Sequence, residues 1–376
     1  MRNEKSAISR HQLFSLGFLG LLSPIIRLLP HQAVLLSGTG AWLSALLTAI
    51  PVGLVFLLSM RFFKFAMPNE GFAELFIRAL GHLVGRGALL LFTLWLIFYT
   101  GFTLRSSADR YITTAYQNAS PELFIIIMLA LALIAALGTF HALARSAEVF
   151  FPLLLVVLVG IFAFSFQDVD FTYLPPVTTL GLPSVLLGIL PVANVLSLSL
   201  NVGFLEGRVC EKKKRSRQVF LWLAAMTATV TVLCLVTVGI FGAELTGKLT
   251  YPFFVMIRNI TVFNILERLE AVIMALWVIT DFALVSTLLF ICVNNLRVCF
   301  NFLPSAAEKS PLLKLKNGRF LIWICAGLSL LTALFIAPDS QTLSSLSRNI
   351  IPAINLAFNF ALLPAIIAVG LIRKKV

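Results

Sequence analysis

Arg27 lies between two prolines, Pro24 and Pro30, inside an apolar stretch long enough to cross a membrane. Proline lacks a backbone N–H, and its ring clashes with the preceding turn. In hydrocarbon, each freed backbone group needs a partner in protein or in a water-lined cavity. A guanidinium at that depth costs about 2.5–3.5 kcal/mol on insertion scales. A break that lines a site accounts for both costs. Ser23, Pro24 and Ile25 would then offer backbone groups, and Arg27 would grip a carboxylate with its planar fork. A helix start at the break favours the same anionic group. The second half carries a matching interruption from Ile189 through Pro191 to Asn194, with Ser197 one turn on. Paired interruptions in corresponding positions mark the ligand site of transporter-like folds.

Other polar groups stand in apolar surroundings. Asp281 follows Trp277 by four residues in a further span. It either pairs with Arg27 or leaves Arg27 to hold a ligand carboxylate. Tyr99 and Thr103 are placed to face the same cavity, with the tyrosine ring closing it. Asn194 and Ser197 serve either a ligand or helix–helix hydrogen bonding. Ser286 and Thr287 present adjacent hydroxyls, a candidate cation site. Catalytic chemistry finds no foothold. The four histidines, His11, His31, His82 and His141, are scattered, and no zinc-protease helix, nucleophile elbow or phosphate-cradling glycine loop is present. No cofactor and no metal cluster is expected.

The elements that must position these residues follow from composition. Of 376 residues, 59% are apolar and 12% charged, and mean hydropathy is +0.98. Soluble domains carry about twice that charge. Apolar runs of membrane-spanning length recur ten times, at about 12–36, 40–62, 86–105, 122–140, 145–166, 182–206, 218–242, 268–299, 319–337 and 350–372. The first run is too long for a cleavable signal. A net charge of +13 raises nucleic acid as a partner, but the distribution opposes it. With the N-terminus inside, most of the 29 Lys and Arg residues fall in cytoplasmic loops. Arg105, Arg110, Lys248, Arg258, Arg268 and Arg348 fall outside. This is the positive-inside pattern, and it places both termini in the cytoplasm. The five cysteines read as small buried hydrophobes.

Ten spans divide into five and five, and an odd number per half inverts the second half. Short amphipathic stretches at 71–81 and 251–263 follow the second and seventh spans, as inversion requires. The expected fold is therefore all-α and membrane-embedded. It is one transmembrane domain over 1–376, with repeats at about 8–167 and 180–373. Ten helices in a 5+5 inverted repeat with broken helices 1 and 6 resemble the LeuT-like architecture of the amino acid/polyamine/cation transporter superfamily. In sodium-coupled members of that fold, hydroxyls at the place of Ser286 and Thr287 meet a cation.

A more specific likeness runs along the chain in order. It begins with Ile8-Ser9-Arg10-His11-Gln12-Leu13-Phe14 and Gly40-Ala41-Trp42-Leu43-Ser44. It continues with Ala144-Arg145-Ser146-Ala147-Glu148 through Pro152, Tyr251-Pro252 and Arg258-Asn259-Ile260. Leu266-Glu267-Arg268-Leu269-Glu270-Ala271, followed by Trp277, is its most distinctive part. These segments resemble the endospore germination permease family, the B subunits of spore germinant receptors. The resemblance implies a multi-pass protein of the spore inner membrane that senses a small-molecule germinant, typically an amino acid. It also implies two partners, an A subunit and a lipoprotein C subunit. The chain departs from the family at Leu284, where relatives often carry lysine, and Arg27 and Asp281 are additional charges. A secondary active amino acid transporter of the same fold is the alternative function. A structural subunit with a vestigial pocket is a third.

Overall fold

A backbone in hydrocarbon must pair its own N–H and C=O groups, and a helix does so within one segment. The computed structural model describes residues 8–64, 66, 70–116, 118–175, 181–209, 215–258, 269–300 and 319–373. Among these, the chain is helical nearly throughout, and its one isolated bridge pairs Ile8 with Val209. The helices are α1 (Arg10–Ser37), α2 (Ala41–Leu47), α3 (Ala49–Phe63), α4 (Phe72–Leu80), α5 (His82–Thr114), α6 (Pro121–Leu137) and α7 (Phe140–Ser165). Then come α8 (Leu182–Ser197), α9 (Arg215–Lys248), α10 (Pro252–Arg258), α11 (Leu269–Cys299) and α12 (Arg319–Phe335). A final rod joins α13 (Ser340–Ser345), α14 (Ile351–Leu356) and α15 (Leu363–Ile372) through two π-helical turns.

Seven described stretches are long and apolar enough to cross a membrane, and the first, Arg10–Phe63, covers the first two expected spans. Two shorter apolar helices, Pro121–Leu137 and Phe320–Phe335, lie where the fourth and ninth spans are expected. The protein is thus a multi-pass membrane protein. Its periphery fits that setting: α6 and α7 leave Ile126, Ile134, Val149, Val156 and Val159 exposed, as a lipid-facing surface requires. The short amphipathic stretches form α4 and α10. The part of the second beyond Arg258, and the Glu267-Arg268 pair, lie outside the described residues.

The first span differs from expectation. It is one α-helix from Arg10–Ser37 with Pro24 and Pro30 inside it, not a helix broken at that segment. Each proline deletes a single donor, and α1 packs against α7, α8, α9 and α11. Such enclosure lets a membrane helix absorb a proline. The N-terminus of α1 carries a full capping box, with Gln12 N–H on Ser9 Oγ at 3.1 Å and Ser9 N–H on Gln12 Oε1 at 3.0 Å. The sixth span does change form, but after Pro191. α8 runs through the proline to Ser197, and a 3-10 helix continues over Leu198–Arg208. There Ser197 Oγ donates to the Asn194 carbonyl at 2.7 Å, and Ser199 Oγ donates to the Leu196 carbonyl. These hydroxyls occupy carbonyls of the last α turn, where 3-10 geometry commonly takes over.

Proline explains the π turns of the last rod as well. Pro352 and Pro364 clash with carbonyls four residues back, at Arg348 and Phe360. Both lie inside the π turns Leu346–Ile350 and Ala357–Leu362. A knot of rings locks α3, α4 and α5 to the 3-10 segment and the last rod. Phe63 stacks on Phe72 with centroids 4.6 Å apart, Phe92 meets Phe204 at 5.0 Å, and Phe92 meets Phe358 at 5.4 Å. Close backbone approach sets α1 against α11: a Cβ on Gly20 would lie 3.3 Å from Leu284 Cα. That approach places Ser23 of α1 beside Asp281 of α11.

Candidate functional site

Helix α5 is longer than its apolar run. It continues through Arg105, Ser106, Ser107, Asp109 and Arg110 to Thr114, and nothing in that stretch breaks a helix. Arg105 and Arg110, expected in an outer loop, are therefore buried in the bundle. Arg110 Nη2 forms an ion pair with Asp281 Oδ2, and both side chains are sealed, at 1% and 0% exposure. Tyr111 donates its hydroxyl to the same oxygen at 3.0 Å, and Ser23 Oγ donates to Asp281 Oδ1. Arg110 also lies over the rings of Trp277 and Tyr111, at 4.7 and 5.0 Å. Asp281 is thus coordinated by Arg110, Tyr111 and Ser23 rather than by Arg27.

Arg27 stands beside this cluster without a carboxylate of its own. It is 2% exposed. Its Nη1 reaches Ser107 Oγ at a long 3.5 Å, while Nε and Nη2 have no hydrogen-bond partner. Two guanidiniums, Arg27 and Arg110, therefore share the field of one carboxylate. A buried guanidinium without a paired carboxylate is costly, and an anion would offset it.

Arg27 lines a cavity of about 420 Å³ between α1, α5, the α9–α10 turn and α13. Next to it on the wall stand His31, Gln32, Asp109, Tyr251 and Arg348. Asp109 accepts from Tyr251 Oη at 3.0 Å and from Ser340 Oγ. Burial and the Asp109 carboxylate push the Tyr251 phenol up, so it remains a hydrogen-bond donor. Gln32 Nε2 donates to Ser347 O and Oγ, each at 3.2 Å, which seats the first π turn on α1. Arg348, one residue on, donates to His31 Nε2 at 3.4 Å. At the other end of the bundle, Arg10 Nη2 bridges Glu206 Oε1 at 3.1 Å, and Ile8 N–H meets the Arg208 carbonyl at 3.1 Å. The bundle thus carries a polar cavity at one end and the Arg10–Glu206 ion pair at the other.

The remaining sequence-derived candidates lie deeper. Ser23, Pro24 and Ile25 are inside α1 and buried. Tyr99 packs against Trp95 and Phe102, and Thr103 Oγ1 donates back to the Tyr99 carbonyl at 2.9 Å. Pro191 is buried within α8, and Asn194 and Ser197 meet the last rod instead of α1's arginine. Asn355 Nδ2 donates to Asn194 O at 2.8 Å, to Asn194 Oδ1 at 2.9 Å and to Ser197 Oγ at 3.3 Å. Thr287 Oγ1 donates to the Ala283 carbonyl at 2.6 Å, whereas Ser286 Oγ is buried without a partner. Arg110, Tyr111, Asp109 and Arg348 were not singled out from sequence. For the first three, the signal in the sequence is the absence of any helix breaker between Arg105 and Thr114; Arg348 carries no such signal.

The arrangement, a buried charged cluster beneath a polar cavity in a helix bundle, is that of a transporter-like membrane protein. A family model described as "Spore germination protein" matches residues 7–316. The chain belongs to that spore germination protein family. Solved structures share its fold. A Na+-coupled sialic acid symporter in a substrate-bound, outward-open state is similar with a TM-score of 0.65 and 14% identity, over 97% of this chain and 79% of that one. The nucleobase-cation-symport-1 family transporter Mhp1, closed on a bound hydantoin, is similar with a TM-score of 0.53 and 13% identity, over 96% and 81%. Its inward-facing form gives 0.54 and 12%, over 98% and 79%. No curated protein matches the chain. The fold is LeuT-like, as the arrangement of spans predicts.

Proposed function

We propose that the protein is the membrane subunit of a spore nutrient-germinant receptor. It senses a small ligand, an amino acid, in the Arg27 cavity and passes a helix shift to an A subunit and a C lipoprotein. The observation that carries this reading is Arg27: a buried guanidinium on the wall of a cavity of about 420 Å³, with two of its nitrogens sealed in the protein without a hydrogen-bond partner. That volume is in the range of small-molecule sites, about 300–1,000 Å³. Membership in the germination family supplies the biological setting. The protein resides in the spore inner membrane with both termini in the cytoplasm, so the cavity opens away from the cytoplasm. Ligand binding acts through different affinities for two bundle states, one with the Arg10–Glu206 latch closed and one with it released.

Secondary active transport of amino acids is the second reading. It is favoured by the likeness to a Na+-coupled symporter and by the unpartnered Ser286 hydroxyl beside Thr287. One experiment separates the two. Spores lacking the gene are scored for nutrient-triggered germination, and vesicles of purified protein are assayed for uptake of labelled amino acids. Lost germination without coupled uptake supports the sensor. Unchanged germination with robust uptake supports the transporter.

A further inference from the structure

The geometry points to a ligand with two carboxylates, held one helical turn apart along α1. The inference rests on the reading of the Arg27 cavity as the ligand site, and it specifies the ligand's charge. Arg27 and His31 are four residues apart on one helix, so their side chains share a face with Cβ atoms about 5–6 Å apart. Both line the cavity. Arg348 is brought to His31 from the last rod, because Gln32 fixes Ser347. The wall therefore carries two anion-binding stations. Arg27 is the deep one, 2% exposed, with its Nε and Nη2 buried and lacking hydrogen-bond partners. Arg348 with His31 is the shallow one, at the mouth.

Other charges on the wall leave this pattern intact. Lys248 adds a third cation at the mouth, but it is bound to Glu244 at 2.5 Å. Asp109 is the carboxylate on the wall, and two hydroxyls already donate to it. Asp281 is held by Arg110. A monocarboxylate would satisfy Arg27 and leave Arg348 idle. Two carboxylates a few ångströms apart, as in aspartate or glutamate, match the one-turn spacing of the two stations along α1. An acidic amino acid and a plain dicarboxylate share this chemistry. Asp109, able to accept from an ammonium group, favours the amino acid.

The test is equilibrium binding to the full chain in lipid nanodiscs, using labelled L-glutamate, L-aspartate, succinate and L-alanine. Wild-type protein, Arg348→Gln and Arg27→Gln are compared, with thermal unfolding as the control for folding. The expected result is that glutamate or aspartate binds at least about tenfold more tightly than alanine. Arg348→Gln should remove most of that margin without weakening alanine, as loss of one charge-assisted contact predicts. Succinate binding as well as glutamate would assign the site to dicarboxylates generally. Succinate failing would assign it to acidic amino acids. Alanine binding as tightly as glutamate, with no effect of Arg348→Gln, overturns the two-carboxylate inference, while loss of all binding in Arg27→Gln keeps the site itself. Binding unaffected by Arg27→Gln, or no binding of any probe, overturns the site reading and this inference with it.

Discussion

Arg110 on α5 and Asp281 on α11 form an ion pair sealed inside the bundle, with Tyr111 and Ser23 completing the carboxylate's hydrogen bonds. The pair joins α5 to α11 at the level where Ser23 of α1 also arrives. Three helices thus meet on one carboxylate, immediately beside Arg27.

Breaking that pair from one side strands a buried charge, which costs about 3–5 kcal/mol. Arg110→Ala and Asp281→Ala are each expected to lower the unfolding temperature of detergent-purified protein sharply. Replacing both with apolar groups of similar volume, Arg110→Met with Asp281→Leu, should recover most of the loss. A double variant as unstable as the sum of the single changes would show that the pair is not the coupling between α5 and α11.

Pro24 offers a test of the continuous first helix. Alanine there can donate the missing hydrogen bond to the Gly20 carbonyl. Pro24→Ala is expected to keep or raise thermal stability. A marked loss would mean that the native state uses an opened backbone at that point.

The approach of α5 to α12 depends on Gly101. A Cβ there would lie 2.5 Å from Thr332 Cβ and 2.7 Å from the Ser329 carbonyl. Gly101→Ala should cost about 1–3 kcal/mol through overpacking. Gly160 on α7 meets nothing within 4 Å, so Gly160→Ala should be neutral or slightly stabilising. Parallel melting curves of the two variants distinguish packing from a general intolerance of alanine.

Asn355 joins α8 to the last rod. Its Nδ2 reaches Asn194 and Ser197, and its Oδ1 accepts from Trp95 Nε1 at 3.4 Å and from Asn359 Nδ2 at 2.9 Å. Asn355→Ala strands several buried polar groups and should cost about 1–3 kcal/mol. Asn194→Ala should cost less, because the Asn194 backbone carbonyl remains as acceptor. A double-mutant cycle on unfolding free energy measures the coupling, and a value near zero would separate the two residues.

The membrane class was legible in the sequence because hydropathy acts over whole segments. The fold was legible because the number of apolar spans and the prolines within two of them, Pro24, Pro30 and Pro191, pointed to a LeuT-like arrangement. Local backbone form was less accessible. Proline reports a missing donor, not whether neighbours enclose the helix, and α1 stays helical while the sixth span changes at Ser197. Arg110 as the partner of Asp281 is hidden from the sequence for a related reason. Counting apolar runs ends the third span at Arg105, so Arg110 reads as an outer-loop residue. Helix α5 instead carries it five residues beyond Arg105, into the core. Arg27 was identified correctly as a deep cation, because no helix geometry was needed to see that its charge lay far from either end of the span.

The central claim is that Arg27 receives the ligand's carboxylate. The most direct measurement is the affinity of purified protein in nanodiscs for a labelled amino acid it binds, compared between wild type, Arg27→Lys and Arg27→Gln at matched thermal stability. The account predicts that Arg27→Gln falls to background and that Arg27→Lys, a point charge without the planar fork, binds at intermediate strength. Undiminished affinity in a well-folded Arg27→Gln protein would contradict it.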